Sequence, residues 1–95
     1  SATADRLLGY WQETYHPTAR AKLGRRRRIE TRLRSFSESE LRSVIDFICK
    51  DPWWKGKNDR NTDYTFPEHF LKNDEQVDRH LEHLKAKTQP RYDPY

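Results

Sequence analysis

The sequence predicts an all-α domain, a small bundle of four to five short helices, and three observations predict it. Apolar residues recur at helical spacing, first as Leu7, Leu8, Trp11 and Tyr15, and most clearly as Leu41, Val44, Ile45 and Ile48. The chain has only three glycines and hardly any alternating β-branched run, which argues against a sheet. Apolar residues are 33% and charged residues 36% of 95, so the core is small and must use large rings: three Trp, four Phe and five Tyr. That length suits one domain. Residues 1–87 are expected to form it, with 88–95 ("TQPRYDPY") as a flexible tail, because two prolines and no apolar period lie there. Ser1-Ala2 reads as a tag remnant, and the whole as a fragment of something longer.

The first helix runs from Ala4 to about Tyr15, and "HPTA" closes it because Pro17 disfavours helix at His16. A second spans about Ala21 to Leu33, with Ile29, Leu33 and Phe36 as its buried stripe at i, i+4 and i+7. Ser37 with Glu40 three residues on is a capping box, so a third helix starts there and continues through Leu41 and Ile48. Asp51-Pro52 ends it. Residues 53–66 have turn composition in Gly56, Asn58, Asp59, Asn61 and Asp63. One helical turn begins at Pro67, with Phe66, Phe70 and Leu71 inward. Asn73 with Gln76 opens the last helix, whose stripe is Val77, Leu81 and Leu84.

Charge is distributed unevenly. Between Arg20 and Arg34 eight cations face one acid, Glu30, a segment net of +7 in a chain of net +4. Concentrated positive charge of this kind fits a polyanion partner. At 100° per residue, Arg25, Arg28 and Arg32 share one flank of the apolar stripe, and Arg27 and Arg34 point outward. Arg26 falls near the stripe and must snorkel or meet a carboxylate. Like charges at i, i+3 and i+4 repel by a few tenths of a kcal/mol per pair, so phosphates or an acidic protein surface are expected to offset four consecutive arginines. Guanidinium groups hold phosphate oxygens bidentately, which lysine does not. The plainer alternative is a solvated charged face.

The dipeptide Trp53-Trp54 follows a helix end. One ring is expected to fold back near Ile48, and the other to lie beside Lys55, Lys57 and Arg60. Aromatic side chains interleaved with cations grip single-stranded nucleic acid, rings stacking on bases and cations pairing with phosphates. Trp54 and Tyr64 are the stacking candidates; the alternative is that both tryptophans pack.

No P-loop, GxSxG, HExxH or CxxC is present. No catalytic residue, metal site or cofactor is therefore expected, and the chain is not read as an enzyme. His80 and His83, near Asp78 and Glu82, read as solvated residues on the outer face of the last helix, since zinc takes three or four protein ligands. Asp59/Asp63 and Asp74/Glu75 read as turn and helix-start acids, and Cys49 as a small buried residue. No run of about 18 apolar residues exists, so no membrane span is expected. One cysteine and no signal-peptide pattern point to a reducing, cytoplasmic setting.

The segments "RRRRIETRL" (25–33), "SESELRSVIDFI" (37–48), "DPWWKGKND" (51–59) and "DYTFPEHFLKND" (63–74) together cover about 60% of the chain. In that order they resemble the C-terminal helical domain of phage and prophage replication initiators and replisome organisers, distant relatives of DnaD-like helicase loaders. Trp53, Trp54, Gly56 and Asn58 match that family's aromatic-Leu, Gly and Asn positions, with Trp54 in place of the usual leucine; Pro67 to Phe70 stands for its final tryptophan. The resemblance implies a non-enzymatic appendage of a mobile-element replication protein that binds DNA, a helicase or a loader.

The expectation is therefore binding of single-stranded or forked DNA through Arg25, Arg27, Arg28, Arg32, Arg34, Lys55, Lys57 and Arg60, with Trp54 and Tyr64 stacking. The rival is a protein-interaction module docking a replicative helicase, primase or loader through the same basic helix. A helix-turn-helix reader of duplex DNA is weakened by the shortage of Asn, Gln and Ser on the 41–48 helix. The oligomeric state is left open.

Overall fold

The Ser1 hydroxyl accepts the Ala4 N–H at 3.2 Å and opens α1 (Ala2–Tyr15) two residues ahead of the expected start. This computed structural model describes residues 1–88. Ala4, Leu7, Leu8 and Trp11 are buried at i, i+3, i+4 and i+7, so α1 lays one apolar stripe on the core. Trp11 is fully buried and needs a partner for its indole N–H. The Thr65 carbonyl accepts it at 2.9 Å.

α2 (Leu23–Arg32) is shorter than expected, because Lys22 gives its first turn no side-chain cap. Ile29 is buried and Leu33 and Phe36 pack at the edge of the core. α3 (Glu38–Lys50) begins with both bonds of the capping box: the Glu40 N–H donates to Ser37 Oγ at 3.1 Å, and the Ser37 N–H to Glu40 Oε1 at 2.9 Å. Its buried face is Leu41, Val44, Ile45, Ile48 and Cys49.

Asp51 ends α3 and starts the next turn, α4 (Pro52–Lys55), where a loop was expected. Its Oδ2 accepts the N–H groups of Trp53 and Trp54 at 3.1 and 3.3 Å, and Pro52 fits the first helical position because its missing N–H would be unpaired there. α5 (Pro67–Phe70) is the expected single turn, with Phe70 and Leu71 fully buried. α6 (Asp74–Thr88) is capped by Asn73, whose Oδ1 accepts the Gln76 N–H at 2.8 Å. The Gln76 side chain reaches the Lys72 N–H at 3.1 Å.

These six helices centre on α3, which touches α1, α4 and α6, while α2 lies on α1 and α5. The architecture is all-α, four helices of ten or more residues and two single turns, with no strand among the described residues. Among those residues no helix is long and apolar enough to cross a membrane. Thr88 still belongs to α6; the rest of the expected flexible tail, 89–95, lies outside the described residues.

Candidate nucleic-acid interface

The arginines of α2 sort into three sets by what each meets. Arg26 turns toward α1 and pairs with Asp5 at 2.8 Å, which meets the need for a carboxylate and holds the exposed Asp5 below its ordinary range. On the opposite flank, Arg25 is buried. Its Nε and Nη2 donate to Glu68 at 3.1 and 3.2 Å, and Nη1 donates to the Arg20 carbonyl at 2.8 Å. The guanidinium also sits 5.2 Å from the Trp11 ring and 5.0 Å from the Phe66 ring. Burial acts most strongly and would raise the Glu68 carboxyl, but the hydrogen bonds from Arg25, a backbone hydrogen bond and the Arg25 charge together hold Glu68 below the usual range. Arg32, two turns of α2 further on, lies 2.8 Å from Asp74, whose other oxygen accepts from the Ser35 hydroxyl at 2.7 Å.

Arg25 and Arg32 thus leave the candidate interface. Their flank faces α5 and the start of α6, and it ties α2 to both. Arg28, on the same flank but nearer solvent, donates to the Lys72 carbonyl at 3.1 Å and stays exposed. Arg27 and Arg34 are exposed and have no side-chain partner among the described residues. The outward ridge is Arg27 and Arg28 of α2 with Arg34 in the turn that follows it.

The second half of the surface is built by Asn58. Its side-chain amide donates to the carbonyls of Trp53 at 2.8 Å and Thr62 at 2.7 Å. Its Oδ1 accepts the N–H groups of Arg60 and Thr62, both at 3.1 Å. Four bonds from one side chain close residues 53–62 into a loop. Gly56 begins the loop at φ 141°, which disfavours any residue with a Cβ. The Tyr64 N–H then donates to the Trp54 carbonyl at 2.7 Å and sets the returning chain beside α4.

This closure decides between the two tryptophans, which the sequence left open, and it turns the stacking candidate Trp54 away from solvent. Trp54 turns inward, edge-on to His80 at 5.3 Å and packed on the core. Trp53 is 51% exposed and stacks on Tyr64, ring centroids 5.8 Å apart and planes 24° apart. Adjacent helical residues point about 100° apart, so a turn that buries one must expose the other. Tyr64, the other stacking candidate, is half-buried and meets His69 edge-on at 5.2 Å. Lys55, Lys57 and Arg60 are exposed on the loop as expected. Lys55 and Lys57 share a shallow depression of about 290 Å³ with Lys50, at the end of α3.

α5 joins the two halves. His69, in α5, touches Tyr64, and the backbone carbonyl of Lys72, just past the end of α5, accepts from Arg28. An exposed strip therefore runs from Trp53 and Tyr64 through His69 and Lys72 to Arg28 and Arg27. Sequence reasoning missed His69 and Lys72. Their signal was available: with Phe66, Phe70 and Leu71 inward, positions 69 and 72 are left facing out.

His80 also differs from its expected place on an outer face. It is buried at 5% exposure, its Nε2 has no partner, and Trp54 covers it. Burial pushes its pKa down to about 4, helped by His83 and Arg79 and opposed by the Phe70 carbonyl. The unfolded chain, with a value near 6.5, binds the proton first as pH falls. Stability is therefore full above about pH 6.5 and declines toward about pH 4, by about 3 kcal/mol at most. Urea denaturation at pH 7 and pH 5 is expected to show most of this fall, and His80→Phe to flatten it, because carboxylates have hardly titrated at pH 5.

Cys49 is buried as expected, and burial pushes its thiol up to about 12, so it is not a reactive thiol. Among the described residues no three His, Cys, Asp or Glu side chains are grouped to hold a metal ion. Comparison of the chain with protein-family models, with curated proteins and with solved structures finds no match.

Proposed function

We propose that this domain is a non-enzymatic DNA-binding accessory module of a phage or mobile-element replication protein, one that holds single-stranded or forked DNA. One observation carries the DNA reading. An exposed indole stacked on a tyrosine lies on the same side of the chain as His69 and as Arg28, which is bonded to the Lys72 carbonyl and neighbours the unpaired Arg27. Trp53 offers its free face to a base, and only an unpaired or terminal base presents a whole face for stacking. Arg27, Arg28, Arg34 and Lys72 would meet the phosphates, with Lys55, Lys57 and Arg60 flanking the indole. The replication setting rests on the resemblance in segments 25–33, 37–48, 51–59 and 63–74 alone.

The test is fluorescence anisotropy with a labelled single strand, a matched duplex and a fork, each at two salt concentrations. Single strand and fork are expected to bind more tightly than duplex, with log affinity falling against log salt by about 0.7 per phosphate contact. Four such contacts give a slope of about −3. The rival, docking of a helicase, primase or loader, is favoured by Leu23, an apolar side chain 58% exposed at the start of the basic helix. Absence of DNA binding at the lower salt would leave the ridge to that rival.

A further inference from the structure

Between α3 and α6 runs an open groove of about 950 Å³. Phe47 and Leu81 line it with the exposed carboxylates of Glu40, Asp78 and Glu82; Asp46, also in its wall, already accepts the Tyr10 and Tyr15 hydroxyls. Five carboxylates and three lysines line it, an acidic excess in a basic chain. We infer that this groove receives the start of α2 from a second copy of the same chain.

Three features of α2 fit that occupant. Leu23, its first residue, is 58% exposed and protrudes among cations, with Lys22 before it and Arg27 one turn on. The start of α2 has no side-chain cap and no acid in its first turn, so its dipole lacks a negative partner, and of the cations there Arg25 and Arg26 are paired while Lys22 and Arg27 are not, among the described residues. Asp78 and Glu82 lie at i, i+4 on one exposed face of α6 and would supply it. Gly24 has no neighbouring atom within 4 Å of where a Cβ would stand, so packing within one copy does not call for glycine there. Glycine in a helix costs about 1 kcal/mol relative to alanine; bare backbone beside Leu23 lets an apposed wall come close.

The two surfaces are different, so each contact pairs unlike patches, either exchanged reciprocally in a twofold dimer or made head-to-tail in a ring or filament. α2 docks on α1 and α5, whereas α3 and α6 wall the groove, so no copy fills its own groove with its own Leu23. The inference stands whether or not the ridge binds DNA.

Sedimentation velocity of the full chain, from micromolar to millimolar concentration, tests it. The weight-average sedimentation coefficient is expected to rise with concentration. Leu23→Asp lacks the protruding leucine but keeps the groove, and the double variant Asp78→Arg, Glu82→Arg lacks the acidic rim but keeps the leucine. All three positions are exposed, so both variants should fold with the parent's circular dichroism. Each alone is expected to be monomeric, and an equimolar mixture to form dimers that grow no further. A parent monomeric throughout overturns the inference and leaves the groove to residues 89–95 or to a different protein. Association unchanged in both variants, or a mixture that stays monomeric, overturns it equally.

Discussion

Arg25→Ala is expected to destabilise the domain by about 3 kcal/mol, and Arg27→Ala, two residues away, by less than about 0.5 kcal/mol. The Arg25 guanidinium has a bond from every nitrogen, two to Glu68 and one to the Arg20 carbonyl, and lies over the rings of Trp11 and Phe66. Alanine leaves a carboxylate and a carbonyl without their donor and opens space beside the core. Glu68 is 37% exposed, so water recovers part of its loss and the cost sits at the low end for a broken buried pair. Arg25→Lys is expected to recover little, since an ammonium cannot hold two carboxylate oxygens and a carbonyl from one planar fork. Urea denaturation of the three variants checks this. Equal effects at 25 and 27 would show that the flank assigned to α5 is not what holds α2.

The two tryptophans are expected to separate stability from binding. Trp53→Ala removes a half-exposed ring that stacks on Tyr64 and meets Trp54 edge-on, and should cost the fold no more than about 1 kcal/mol. It should weaken single-strand binding by about 1–3 kcal/mol, the usual worth of one stacked base. Trp54→Ala should cost the fold about 3 kcal/mol, because that ring packs on the core and covers His80. Melting curves and anisotropy titrations on the same two proteins give both readings. A binding loss confined to Trp54→Ala would return the stacking role to the ring assigned by sequence alone.

Local features were legible in the sequence because their causes are local. The Ser37–Glu40 capping box, the Pro67 turn and the Asn73 cap each depend on residues within four positions, and each stands where the pattern puts it. Asp51-Pro52 was half legible: it stops α3 as expected, but the same pair is also a helix start, so α4 follows at once. What failed depended on distant partners. Arg25 and Arg28 share a flank in any helical projection, but Arg25 alone is enclosed by the distant Trp11, Phe66 and Glu68. His80 looked polar and solvated until α4 placed Trp54 over it. The choice between Trp53 and Trp54 needed the Asn58 loop, four bonds made by one side chain that composition marks only as a turn residue.

The most direct test of the surface is a ¹⁵N NMR titration of the full chain with a short single-stranded oligonucleotide. The three tryptophans give three indole N–H signals, one buried (Trp11), one turned inward (Trp54) and one exposed (Trp53). The Trp53 indole is expected to shift most, with the amides of Tyr64, His69, Lys72 and Arg27, while the Trp11 indole stays in place. An unmoved Trp53, or shifts confined to residues of α3 and α6 such as Phe47 and Glu82, would contradict the assignment of this strip as the nucleic-acid interface.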